Sequence, residues 1–192
     1  FATGESGGDL LDLWCVARDV NLKQAMNEAA GWLGIAQDAR ESQPKKTYRR
    51  PDRPHEIRGI DPGGPVMAYL KSRGLTEVTI KAFRLAEQPG RLRFPRLEQN
   101  PGVIVFPYLR NGDLINCKYL ALARPEGKKQ TLLEGGAEPC LFGWQAVPAN
   151  TRTITLTEGE IDAMTLWQQG IPAMSVPMGG GSGHKQDWIE SD

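Results

Sequence analysis

The run Thr157-Glu158-Gly159-Glu160-Ile161-Asp162 places three acids around one glycine. The preceding residues 153–157 (TITLT) read as a buried strand, and EIDAMTLWQQG reads as a helix with Ile161, Ala163, Met164 and Trp167 inward. Glu158 therefore falls at the carboxyl end of a strand, where open α/β sheets hold their ligands. A carboxylate there can ligate Mg²⁺ or act as a general base. Gly159 permits a tight turn and the close approach of a ligand. Glu160 and Asp162 fall in the first helical turn, where acids also serve simply to complement the helix dipole. After the next strand, IPAMSVP, comes Met178-Gly179-Gly180-Gly181-Ser182-Gly183. Bare backbone amides in that loop can cradle a phosphate, or the loop can be a plain connection.

These elements form a strand–helix–strand unit, parallel and right-handed by default, with Gly170 ending the helix. Upstream, VIVFPYLRNGDLINCKYLAL is two β-rich runs flanking Asn111-Gly112, the pair favoured in a two-residue type I′ turn. Residues 65–85 read as helix, a stop at Gly74, and helix, followed by short strands; residues 124–140 read as loop. Near the N-terminus, GDLLDLWCVAR and LKQAMNEAAGWLGI read as a helical hairpin, the second helix capped by Asn21, with too little apolar surface for a core of its own. The expected parts are a helical tail at 1–36, a basic linker at 37–58, a mixed α+β subdomain at 59–150, and the start of an α/β unit at 151–192.

The 192 residues carry 23 basic and 23 acidic side chains, which excludes a uniformly basic nucleic-acid binder. The balance is uneven along the chain. Residues 40–58 hold seven basic groups against three acids, a composition suited to a polyanion or to a solvated tether. Residues 151–192 hold six acids against Arg152 and Lys185, a composition suited to a divalent cation. Cys15, Cys117 and Cys140 are odd in number and lack metal-ligand spacing. Cys15 and Cys117 sit in apolar patterns and are expected in the core of a reduced protein, with no zinc site in the chain. His55 and His184 lie in loops and are not taken as ligands. No membrane span, signal peptide or P-loop is visible. The first residue is Phe1, so a piece of something longer, or a trimmed chain, is expected.

TLTEGEIDAMTLWQQGIPAMSVPMGGG resembles the opening of a TOPRIM domain. Over residues 66–183 the order of YLKSRGL, FPYLRNGDLINCKY, LFGW and TEGEIDA resembles the primase part of phage primase-helicases of the bacteriophage T7 kind and of Twinkle, within the DnaG-type primase superfamily. FATGESGGDLLDLW resembles the tail of the zinc-binding module preceding such primases. The resemblance implies an RNA-polymerase-like basic subdomain followed by the first unit of a TOPRIM fold. It implies a catalytic role for Glu158, as acid/base or metal ligand, and a metal role for Asp162. Lys118 matches a hairpin lysine that contacts nucleotide or template; facing solvent without such a role is the plain alternative. Arg73, Arg84, Arg91, Arg93 and Arg96 could line a template track, or be surface charges. The Gly179, Gly180, Gly181 loop would meet phosphate.

Two features depart from that pattern. The Asp-x-Asp pair with which TOPRIM enzymes hold Mg²⁺ is not in the chain, and Asp187 and Asp192 lie on no suitable strand, so the fragment alone is expected to be inactive. Leu120 stands where a second basic residue is common. The leading expectation is a metal-dependent DNA primase, using Mg²⁺ or Mn²⁺, ribonucleoside triphosphates, a single-stranded DNA template and a helicase domain in the same or a partner chain. Its expected location is the cytoplasm of a bacterial or phage-infected cell. The alternatives are a non-catalytic single-strand binding or spacer module, and a TOPRIM nuclease or topoisomerase.

Overall fold

A computed structural model describes residues 9–34, 46–51, 57–89 and 93–179. The chain divides into two compact units, Phe1–Thr47 and Tyr48–Asp192. Among the described residues no helix is long and apolar enough to cross a membrane.

The first unit is the expected helical hairpin, α1 (Leu10–Arg18) and α2 (Leu22–Trp32). Both helices start in capping boxes, Asp9 with Asp12 and Asn21 with Gln24, so side chains satisfy some of the free amides at each N-terminus. Ala25 alone is buried in these two helices, while Leu10 is 82% and Trp32 77% exposed. Cys15 is half-buried rather than the core thiol expected, because two short helices enclose too little volume.

In the second unit, α3 (Pro65–Ser72) and α4 (Glu77–Ala82) flank Gly74, whose φ of 79° ends the first helix as expected. Then come β1 (Ala86–Gln88), β2 (Val103–Arg110), β3 (Asp113–Ala121) and β4 (Thr131–Leu133), an antiparallel sheet in that order. Arg110 pairs with Asp113 across Asn111 and Gly112, and both turn residues have positive φ, as a type I′ turn demands. Residues 131–133, expected as loop, instead pair with β3. Both faces of β2 and β3 are covered, so neither strand shows clean alternation. One face (Ile104, Phe106, Tyr108, Leu120) packs with Leu70, Phe83, Phe142 and Met164; the other (Val103, Val105, Cys117, Tyr119) packs with Phe94.

The strand–helix–strand unit follows: β5 (Thr155–Thr157), α5 (Glu160–Gln168) and β6 (Ala173–Ser175), with β5 and β6 parallel. Gly170 (φ 80°) ends α5. β5 is shorter than expected and not buried: Leu156 is 52% exposed, whereas β6 is buried along its length. Phe142 exchanges backbone hydrogen bonds with Ser175, joining the LFGW segment to β6. Gln168 accepts from the Thr76 amide and the Thr79 hydroxyl, both at 2.8 Å, and donates to the Gly74 carbonyl at 3.0 Å, docking α5 onto the turn after α3.

The basic stretch expected as a linker is partly fixed. The Arg49 amide donates to the Gly136 carbonyl and its Nε to the Gly135 carbonyl, each at 3.0 Å; Arg50 pairs with Asp113, and Arg58 with Glu87. These basic residues hold segments to the sheet.

Burial pushes the Cys117 thiol up to about 11 and raises the phenols of Tyr108 and Tyr119, the former also through the charge of Glu160. The unfolded chain releases such phenol protons near pH 10 while the folded chain retains them. Their contribution to stability is therefore intact below about pH 10 and is lost as pH rises further. Phenolate absorbance of Tyr108 and Tyr119 is expected to appear only together with loss of structure. Cys117 is expected to resist a thiol reagent at pH 8 until the protein unfolds. Ionisation of both tyrosines at pH 10 with circular dichroism unchanged would refute the burial argument.

Candidate functional site

The site is assembled around the N-terminus of α5. Glu158 lies directly after β5 and is exposed, and it has no hydrogen bond or ion pair among the described residues. Gly159 is the N-cap of α5, in extended conformation and with no side-chain cap. A Cβ at Gly159 would sit 2.7 Å from Asp162 Oδ2, so only glycine lets this carboxylate fold back over the turn. Asp162 is exposed and has no polar partner among the described residues. Gly179, in the left-handed region at φ 72°, brings its backbone near the Glu158 carbonyl: a Cβ there would lie 4.0 Å from that oxygen.

Beside this turn opens a cleft of about 240 Å³ lined by Tyr69, Arg73, Arg124, Gly127, Lys129, Gly159, Ile161 and Asp162. Three cations thus face one carboxylate in a small space. Arg73 enters because the Gln168 contacts fix the turn after α3 against α5. Arg124 is half-buried; its Nη2 donates to the Tyr69 hydroxyl at 2.9 Å, and the guanidinium lies 5.8 Å from the centre of that ring. Its Nη1 is buried without a hydrogen-bond partner among the described residues. An unpaired donor of a charged group costs free energy where it stands.

Glu160 differs from its neighbours. It is 3% exposed, not a solvated helix-terminal acid. Its Oε1 accepts from Lys118 Nζ at 2.5 Å and from the Tyr108 hydroxyl at 2.6 Å. Lys118 Nζ also donates to the Pro177 carbonyl at 3.0 Å. Lys118 therefore does not face solvent: its side chain is 12% exposed and lies within the joint between the sheet and the strand–helix–strand unit.

Of the expected arginines, Arg73, Arg84, Arg93 and Arg96 are described. Arg73 lines the cleft. Arg84, at φ 53°, lines a separate groove of about 590 Å³ with Arg58 and Pro107. Arg93 lies over the Tyr119 ring at 4.5 Å and pairs with Glu134 at 3.1 Å, and Arg96 is exposed. Arg91, Gly180 and Gly181 lie outside the described residues. Arg124, Lys129 and Tyr69 are the cleft residues that the sequence reading missed. The usable signal was Arg124 and Lys129 flanking a Pro-Glu-Gly turn directly after the hairpin.

Among the described residues no three His, Cys, Asp or Glu side chains gather as a metal site. Glu158 and Asp162 offer two carboxylates at one turn, and Mg²⁺ is commonly held by one or two carboxylates, with water and phosphate oxygens completing its six ligands.

No family model matches the chain. Over 81 residues it is 33% identical to the Gene 57 protein of Mycobacterium phage D29, an overlap of 40% of this chain and 52% of that protein. The chain thus spans about half the length of this curated relative. Two solved structures are similar to it: the DnaG catalytic core, and the DnaG primase catalytic domain bound to ssDNA. Each has 22% identity and a TM-score of 0.48, with 68% of this chain and 52% of the other covered.

Proposed function

We infer that the chain is part of a DNA primase of the phage primase-helicase kind, binding single-stranded DNA and ribonucleoside triphosphates for nucleotidyl transfer. The observation that carries this is the cationic cleft of Arg73, Arg124 and Lys129 opening beside the Glu158–Gly159 turn. A cleft of about 240 Å³ is smaller than the roughly 300–1,000 Å³ that holds a whole drug-sized ligand. It suits one phosphate group of a nucleotide or strand, attracted by the charges of Arg73, Arg124 and Lys129. The motif order along residues 66–183, and a relative that is a phage protein, support the same reading. A helicase domain as partner and a cytoplasmic location belong to this reading through the family resemblance.

Phosphoryl transfer requires positioning and compensation of charge more than covalent chemistry. In this reading the cleft cations hold phosphate, the Gly179 backbone approaches it, and Glu158 accepts a proton from the attacking hydroxyl. Mg²⁺ or Mn²⁺ is the cofactor expected of the family. Glu158 and Asp162 are the residues that would hold it, together with phosphate and water oxygens, and it would offset charge developing on the phosphate.

Titration of fluorescent single-stranded DNA with the full-length protein over a range of salt tests the reading. Arg124→Ala is expected to weaken binding about tenfold and to lower the salt slope by about 0.7, the value of one strand phosphate. Affinity and slope equal to those of the unaltered protein would remove the cleft from the nucleic-acid path.

A further inference from the structure

A buried ion pair lies outside the cleft. Lys118 on β3 and Glu160 at the first position of α5 are 42 residues apart in sequence, and their side chains are 12% and 4% exposed. Three elements meet at the Lys118 ammonium. It is carried by β3; it bonds Glu160 Oε1, at the N-terminus of α5; and it bonds the Pro177 carbonyl, two residues before Gly179. Tyr108 adds β2, through its hydroxyl on the same carboxylate oxygen at 2.6 Å. Glu160 is two residues after Glu158 and two before Asp162.

We propose that Lys118 is a positioning residue. Through Glu160 and the Pro177 carbonyl it latches the antiparallel sheet to the β5–α5 turn and the loop after β6, fixing Glu158, Asp162 and Gly179 relative to one another. Two of its three donors are spent inside the protein, and little of its side chain is exposed for a phosphate to reach. A point charge on a flexible stem is held still only by such acceptors. The site being positioned is the one read above as a phosphate and nucleotide site, and the inference rests on that reading for its functional meaning.

The latch predicts a specific pattern of loss and rescue. Lys118→Met strands a buried carboxylate, and Glu160→Gln strands a buried ammonium. The double variant Lys118→Met/Glu160→Gln buries no charge and keeps a carbonyl acceptor for the Tyr108 hydroxyl. A neutral pair of similar shape can replace a buried ion pair at little cost, whereas either single change is costly.

The test is amide hydrogen exchange of the full-length protein over residues 157–162 and 176–179, with single-stranded DNA affinity across salt measured in parallel. Exchange in both segments is expected to quicken about tenfold or more in Lys118→Met and to return to within about threefold in the double variant. DNA affinity should follow the same pattern with an unchanged salt slope. Exchange unaltered by Lys118→Met, or not restored in the double variant, would overturn the latch. So would a salt slope about 0.7 lower in both Lys118 variants, the mark of a direct phosphate contact. A double variant that fails to fold would also overturn it, because neutral partners should supply what the latch supplies. If the unaltered protein binds no single-stranded DNA, the functional reading fails while the exchange data still decide the latch.

Discussion

Glu158→Gln is expected to reduce template-directed joining of ribonucleotides by the full-length protein about a thousandfold or more, while single-stranded DNA affinity stays within about twofold. Among the described residues Glu158 is the carboxylate directly at the end of β5, and it has no ion pair or hydrogen bond there. Its structural cost of replacement is therefore small, and glutamine preserves its shape while removing its capacity to take a proton. The affinity should survive because the cleft cations Arg73, Arg124 and Lys129 are untouched. Initial rates of dinucleotide formation, measured beside anisotropy titrations on the same preparation, check both halves. A rate within threefold of the unaltered protein would end the catalytic role of Glu158. A parallel fall in affinity would place it in binding.

The second large effect concerns stability. Glu160→Ala leaves the Lys118 ammonium with only the Pro177 carbonyl and leaves the Tyr108 hydroxyl without its acceptor. Breaking a buried ion pair from one side costs about 3–5 kcal/mol. For a unit of this size each kcal/mol moves the midpoint by about 2–4 °C, so a drop of about 10 °C is expected in a thermal melt. An exposed pair such as Lys71–Glu77, with side chains 53% and 51% exposed, should show almost nothing when broken the same way. A shift below about 2 °C for Glu160→Ala would mean that water reaches the pair and that Lys118 is held by something else.

What could be read from the sequence was local. Asn111-Gly112 dictates its turn because both residues tolerate positive φ, and Gly74 and Gly170 mark helix ends for the same reason. Asn21 and Gln24 form a capping box that three-residue spacing announces. The strand–helix–strand unit around Glu158 follows from periodicity. Pairings between distant segments were not legible. β4 is three residues in a stretch rich in glycine and charge, and its partner β3 supplies what its own sequence does not. Arg124 and Arg73 reach one cleft only because the hairpin and the turn after α3 both pack toward α5. In sequence Glu160 is indistinguishable from an ordinary acid in a first helical turn, and only the fold brings Lys118, 42 residues earlier, beside it. The available hint was Lys118 itself: a lysine in a strand with apolar neighbours on both faces needs a buried acceptor.

Product analysis after incubation of the full-length protein with single-stranded DNA of mixed sequence, labelled ribonucleoside triphosphates and Mg²⁺ decides between a primase and a binding module. Short RNA products a few nucleotides long are expected, dependent on the DNA and lost in Glu158→Gln. DNA bound with salt-dependent affinity but no RNA product would contradict the primase reading and leave a single-strand binding module. Cleavage of the DNA would contradict it in favour of a nuclease.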